Sequence, residues 1–152
     1  MDGGKAMSVG KNAIHKEVLQ INASIKKLEE KKINMLREIP FTKWTDLTNA
    51  LQRISTNMVL IIDIQNEMSA LNKIYESKED IKIRKQELNS ALNEIRERLR
   101  PLVEIKNSIL AEYGAEFGNE IQNIYLQIEA LEKKKKNFSI ISDLVNNPEN
   151  FT

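Results

Sequence analysis

His15 is the only histidine in the chain, and cysteine is absent. A lone imidazole serves as a general base or metal ligand only with partners arranged around it. The sequence sets none beside His15, which reads as a solvated residue near a helix start. Carboxylate-bridged metal centres in helical bundles take Glu-x-x-His pairs from two helices, and one histidine cannot supply them. Without cysteine there is no disulfide, thiol nucleophile or thiolate metal site. No GxGxxG, GxxxxGK[ST] or GxSxG pattern occurs, so the glycines that let a backbone cradle a phosphate, or sharpen a nucleophile's turn, are missing. The expectation is a non-enzymatic chain with no catalytic residues, cofactor, metal ligands or small-molecule substrate.

Two charged clusters remain. Glu112, Glu116 and Glu120 recur at four-residue spacing, but Gly114 and Gly118 interrupt them, so they are expected to form an acidic turn at one end of the fold. Lys133, Lys134, Lys135 and Lys136 precede Phe138, Ile140, Ile141 and Leu144. A basic run beside apolar residues can meet an anionic membrane or a phosphate. Four consecutive lysines also point around most of a helix, and Glu129 and Glu132 precede them, which describes a solvated helix end. Aromatic residues do not interleave with these lysines as a base-stacking platform requires, so nucleic-acid binding is not expected.

The elements that must carry these residues are helices. Every seventh residue from Ile81 gives Ile81, Leu88, Ile95, Leu102 and Ile109, and the interleaved row gives Lys85, Leu92, Leu99, Lys106 and Tyr113. Alternating three-and-four spacing held over several repeats keeps an apolar stripe aimed at a partner helix. Ile14, Ile21, Leu28 and Met35 run beside Val18, Ile25, Lys32 and Ile39. Leu47, Ile54, Ile61, Met68 and Tyr75 run beside Trp44, Leu51, Met58, Gln65 and Asn72. Phe117, Ile124, Leu131, Phe138 and Val145 run beside Ile121, Ile128, Lys135 and Ser142. These rows resemble coiled-coil and spectrin-like sequences in general.

Boundaries follow from capping chemistry. Asn12 is placed to cap a first helix from about Ala13, and Ile39-Pro40 ends it because the residue before proline is pushed out of helical geometry. Thr42 or Thr45 is expected to cap a second helix from about Trp44. Ser77, with Asp80 three residues on, has the form of a capping box for a third. No glycine or proline enforces that turn, so a continuous rod through Ser77 is the alternative. Pro101 lies inside the third helix, and a fourth is expected from about Asn119 until Asn147-Pro148. No charged residue lies between Ile54 and Ile62, and Val59, Leu60, Ile62 and Ile64 add apolar surface outside the stripe, so this segment is expected to be the most enclosed part of the fold, a β-strand over residues 58–64 being the poorer reading.

The resulting expectation is an all-α, antiparallel four-helix bundle with coiled-coil-like heptad packing over residues 13–147, with flexible tails at 1–12 and 148–152. An elongated oligomeric coiled coil is the competitor, since a 3.5 period favours supercoiled rods. Turns near Phe41, Ser77 and Ala115 would set Ile25 beside Met58, Ile61 beside Leu92 and Ile95 beside Lys136.

A chain of 152 residues with formal charge +1 is the size of one domain and builds no global field toward nucleic acid or membrane. The opening residues have no secretory core segment, and the absence of cysteine suits a cytoplasmic or other reducing compartment. The functional expectation is a structural subunit or adaptor that assembles through its seams with itself or with a protein partner. Lys32, Lys85 and Lys106, which interrupt the second rows, and Lys133, Lys134, Lys135, Lys136 and Phe138 are the candidate partner-binding residues. The alternative is a membrane-active bundle that opens to expose residues 58–64 and 133–144.

Overall fold

The computed structural model describes the backbone of residues 2–146 and the side chains of residue 10 and residues 12–144. Four long helices make up nearly all of it: α1 (Asp2–Leu36), α2 (Trp44–Ile74), α3 (Lys78–Leu110) and α4 (Ala115–Asn146). No strand occurs among the described residues, so residues 58–64 are helical. α1 begins at Asp2, inside the segment read as a tail; the segment read as the other tail, residues 148–152, lies outside the described residues.

The three connections are short and locally bonded. α1 stops at Leu36, and the Ile39 N–H donates to the Leu36 carbonyl at 3.0 Å before Pro40 turns the chain. A 3-10 turn, Phe41–Lys43, leads straight into α2. Lys43 and Trp44 donate their backbone N–H groups to the carbonyls of Pro40 and Phe41. Because backbone acceptors already serve the start of α2, neither Thr42 nor Thr45 caps it; the N-cap position is Lys43 and carries no side-chain bond. The Trp44 indole N–H donates to the Ile39 carbonyl at 2.8 Å, fixing the α1–α2 corner from inside.

Helices two and three are separate. Tyr75 is extended (φ −115°, ψ 137°), and Ser77 Oγ accepts the Asp80 N–H at 3.4 Å to start α3. α3 continues through Pro101, which is exposed. At the last connection Gly114 takes φ +88°, open to glycine and costly for other residues. α4 starts at once at Ala115 rather than near Asn119. Gly118 is therefore in its first turn, donating its N–H to the Gly114 carbonyl at 3.2 Å, and is no part of the loop.

Many row positions are buried, though Leu36, Ala50, Leu71, Leu110 and Tyr125 are buried outside the rows and Gln65 and Asn72 within them are exposed. Leu88, Ile95, Leu102 and Ile109 are buried along α3, as are Leu47 and Ile54 on α2 and Ile121, Ile124 and Ile128 on α4. The extended helix contacts are α1 with α4, α2 with α3 and α2 with α4. The expected pairing of Ile25 with Met58 is not part of an extended interface, because α1 lies along α4 instead. Lys136 is exposed while Ile95 is buried, so they do not share a layer either. The four helices meet in one cluster at a single end: Leu36 of α1 and Ile39 just after it, Leu47 and Leu51 of α2, Ile109 and Leu110 of α3, Ile121 and Tyr125 of α4.

That end overturns the expectation for residues 58–64. The most enclosed stretch of α2 is one to three turns earlier, where Leu47 and Leu51 are fully buried and Ser55 with them. Leu60 and Ile62 remain 42% and 46% exposed, since only α3 and α4 flank this part of α2. The chain's accessible surface of 10708 Å² exceeds by about a third the roughly 7900 Å² of a compact monomer of 17.5 kDa.

Candidate interaction surfaces

The α2–α4 interface begins apolar and becomes polar. Next to the buried cluster, Gln122 Nε2 donates to the Leu51 carbonyl at 3.1 Å and to Ser55 Oγ at 2.8 Å. Only an NH2 group can serve a carbonyl, so the amide is oriented, and its Oε1 is left buried without a hydrogen-bond partner among the described residues. One to two turns on, Glu129 of α4 accepts from Gln52 Nε2 at 2.8 Å and from the Thr56 hydroxyl at 3.4 Å. Beyond it, Lys133 pairs with Asp63. The seam thus runs from a buried amide to an exposed ion pair as residue numbers rise together in both helices.

The α2–α3 hairpin is tied near its tip by a different group. Arg84 donates Nε and Nη2 to the Glu67 carboxylate at 2.6 and 3.0 Å and Nη1 to Glu87 at 2.9 Å. The fork geometry holds the Glu67 carboxyl below its usual range and raises the guanidinium further above neutrality.

The candidate lysines do not form one site. Lys32 is half-buried on α1, paired with Glu29 at 2.6 Å, with its ammonium 5.0 Å from the centre of the Tyr125 ring. Burial, and then the Glu29 charge, push the Tyr125 phenol up to about 12. Lys85 is exposed on α3. Lys106 is half-buried beside the Gly114 turn, and burial alone lowers its pKa. Lys133 reaches α2, Lys134 and Lys136 are exposed, and Lys135 and Phe138 turn toward α1. A stripe position thus decides each lysine's fate by what lies opposite: an aromatic ring, solvent or a helix end.

Lys135 and Phe138 line an open groove of about 510 Å³ with Ile14, His15, Val18, Ser139, Ser142 and Asp143. His15 and Asp143 are far apart in sequence and share this groove only because α1 lies along α4, which no local motif announces. In this groove His15 is exposed, and no hydrogen bond joins it to Ser139 or Asp143 among the described residues. Glu112, Glu116 and Glu120 are all exposed around the α3–α4 turn, and no group of three potential metal ligands converges among the described residues.

Apolar surface is left open in several places. Besides Leu60 and Ile62, exposed side chains include Leu19 and Ile33 on α1, Ile74 and Ile83 at the hairpin tip, and Ile140, Ile141 and Leu144 on α4. Among the described residues no helix is long and apolar enough to cross a membrane. Comparison of the chain with family models, curated proteins and solved structures gives no match in any of the three.

Proposed function

We propose that this chain is a non-enzymatic helical interaction protein, a structural subunit or adaptor that assembles through the open side of α2 with a second copy of itself or with a partner's helix. The observation that carries this reading is the state of residues 58–64. All of them but Asp63 are apolar, yet Leu60 and Ile62 stay close to half exposed because α1 packs on α4 and leaves α2 uncovered there. A helix with apolar residues on most sides is normally enclosed on several of them, so this one has room for another helix. The excess of accessible surface over a compact monomer points the same way.

Within the bundle we read the packing as antiparallel for α2 with α3 and for α1 with α4, and as heptad-registered. The support is the order of contacts: Glu67 of α2 meets Arg84 of α3 across the turn, while Lys32 near the end of α1 meets Tyr125 near the start of α4. A cytoplasmic or other reducing compartment accompanies the proposal, supported by the absence of cysteine.

Multi-angle light scattering at micromolar concentration, with affinity capture of partners, tests the reading. The expected result is a mass above one chain or a stable hetero-complex, lost in a Leu60→Lys, Ile62→Lys variant that melts like the parent. An inert monomer that captures nothing overturns it.

A further inference from the structure

The last turns of α4 carry a feature that the assembly reading leaves unused. Lys134 and Lys136 are exposed and make no ion pair among the described residues. One to two turns on, Ile140, Ile141 and Leu144 are 47%, 44% and 39% exposed. At about 100° per residue, these five side chains fall within roughly half the helix circumference, so the cations and the aliphatic groups share one face. Asp143, at one edge of that face, and Lys135, outside it, line the α1–α4 groove, while Lys133 lies within the face a turn earlier and is spent on Asp63 of α2.

We infer that the face of α4 formed by Lys134, Lys136, Ile140, Ile141 and Leu144 docks on an anionic lipid surface. Its composition is that of an interfacial helix: basic groups that meet headgroup phosphates and carboxylates, beside aliphatic groups that enter the acyl boundary. The two exposed lysines, which make no ion pair among the described residues, call for an anionic occupant, and a lipid surface offers headgroup charge and an acyl boundary side by side. A lipid surface needs no groove. It also fits a chain none of whose described helices can cross a bilayer, because a helix lying in the interface exposes only one face to the acyl region. The inference goes beyond assembly through α2 and uses none of its residues.

The test is co-sedimentation of the full chain with vesicles of equal parts phosphatidylcholine and phosphatidylserine, against vesicles of phosphatidylcholine alone. The chain is expected to pellet with the first, to remain in solution with the second, and to be released by added salt. A Lys134→Gln, Lys136→Gln variant should lower the partition roughly thirtyfold, the loss of two lysines at a charged surface. An Ile140→Ser, Ile141→Ser variant should lower it roughly tenfold through lost apolar burial. Arg98→Gln, on the exposed side of α3, should leave it unchanged, and thermal melts of all three should match the parent. Three outcomes overturn the inference: no pelleting with anionic vesicles, pelleting that survives both double variants, or pelleting that needs the lysines and not the isoleucines. The last would mark plain polyanion capture, as a nucleic acid would also give.

Discussion

Gln122 shows how one side chain can set geometry while adding little stability. Both its amide protons are placed, on the Leu51 carbonyl and Ser55 Oγ, but the orphaned Oε1 carries a desolvation penalty of about 1–3 kcal/mol that offsets what the two bonds contribute. The Leu51 carbonyl keeps its place in the helical ladder without Gln122, and the Ser55 hydroxyl can turn to it. Gln122→Met should therefore leave the free energy of unfolding in urea within about 1 kcal/mol of the parent or raise it, while loosening the α2–α4 register, read as broadened amide resonances at residues 51–56. A drop of several kcal/mol would mean the amide stabilises the fold outright. Lys106 is the reverse case, a charge held where burial disfavours it. Its folded-state pKa lies below the ordinary lysine value, so the native form binds its proton more weakly than the unfolded chain does. The cost is present in full at neutral pH and is relieved as pH climbs through the folded pKa toward the ordinary lysine range. Lys106→Met should raise the urea midpoint at neutral pH, and the gain should shrink in alkaline buffer. A gain independent of pH would place its cause elsewhere.

At the level of helices, the turns decide as much as the stripes. Gly114 and Gly118 look equivalent in sequence, each bracketing the acidic stretch, but only Gly114 takes a positive φ. Gly114→Ala should cost about 1–3 kcal/mol, since its φ +88°, ψ 159° conformation is nearly closed to other residues. At Gly118 an added Cβ would meet Leu110 Cδ1 at 3.8 Å, an ordinary contact, so Gly118→Ala should be neutral or add up to about 1 kcal/mol from helix propensity. Thermal melts of the two variants compare them directly. The pair also marks where sequence reading stops. The four helices, the Ser77 cap and the Ile39-Pro40 stop were legible because each rests on contacts within a few residues. Which stripe faces which was not. Leu28 and Leu131 satisfy any neighbour with a matching row, so the sequence is equally content with α1 on α2 or on α4. The lysines were read as a set for the same reason. Only the packing separates Lys32 against Tyr125 from Lys85 in solvent. The groove uniting His15 with Asp143 had no local signal at all.

For the whole molecule, the uneven placement of the core has a consequence for how it opens. All four helices contribute buried side chains at the end that holds Leu47, Leu51, Ile109 and Ile121. Away from that end α2 and α4 are joined by the exposed Glu129 and Asp63–Lys133 contacts, and exposed polar pairs of this kind contribute little, about 0–1 kcal/mol each. Local opening should therefore begin at the hairpin tip near Tyr75 and at the free ends of α1 and α4, with the four-helix end the last to yield. Amide hydrogen exchange should be slowest at residues 47–55 and 121–125 and quicken steadily along α2 past Asp63. Two truncations separate this gradient from a uniformly cooperative bundle. Leu47→Ala, in the shared cluster, should cost about 2–5 kcal/mol and speed exchange everywhere. Leu71→Ala, also buried but near the hairpin-tip end of α2 and outside the four-helix cluster, should speed exchange from about residue 64 to residue 90 and leave residues 121–125 at the parent rate. If the two variants gave the same exchange pattern, the molecule would open as one unit, and the open side of α2 would have to be reached by global unfolding.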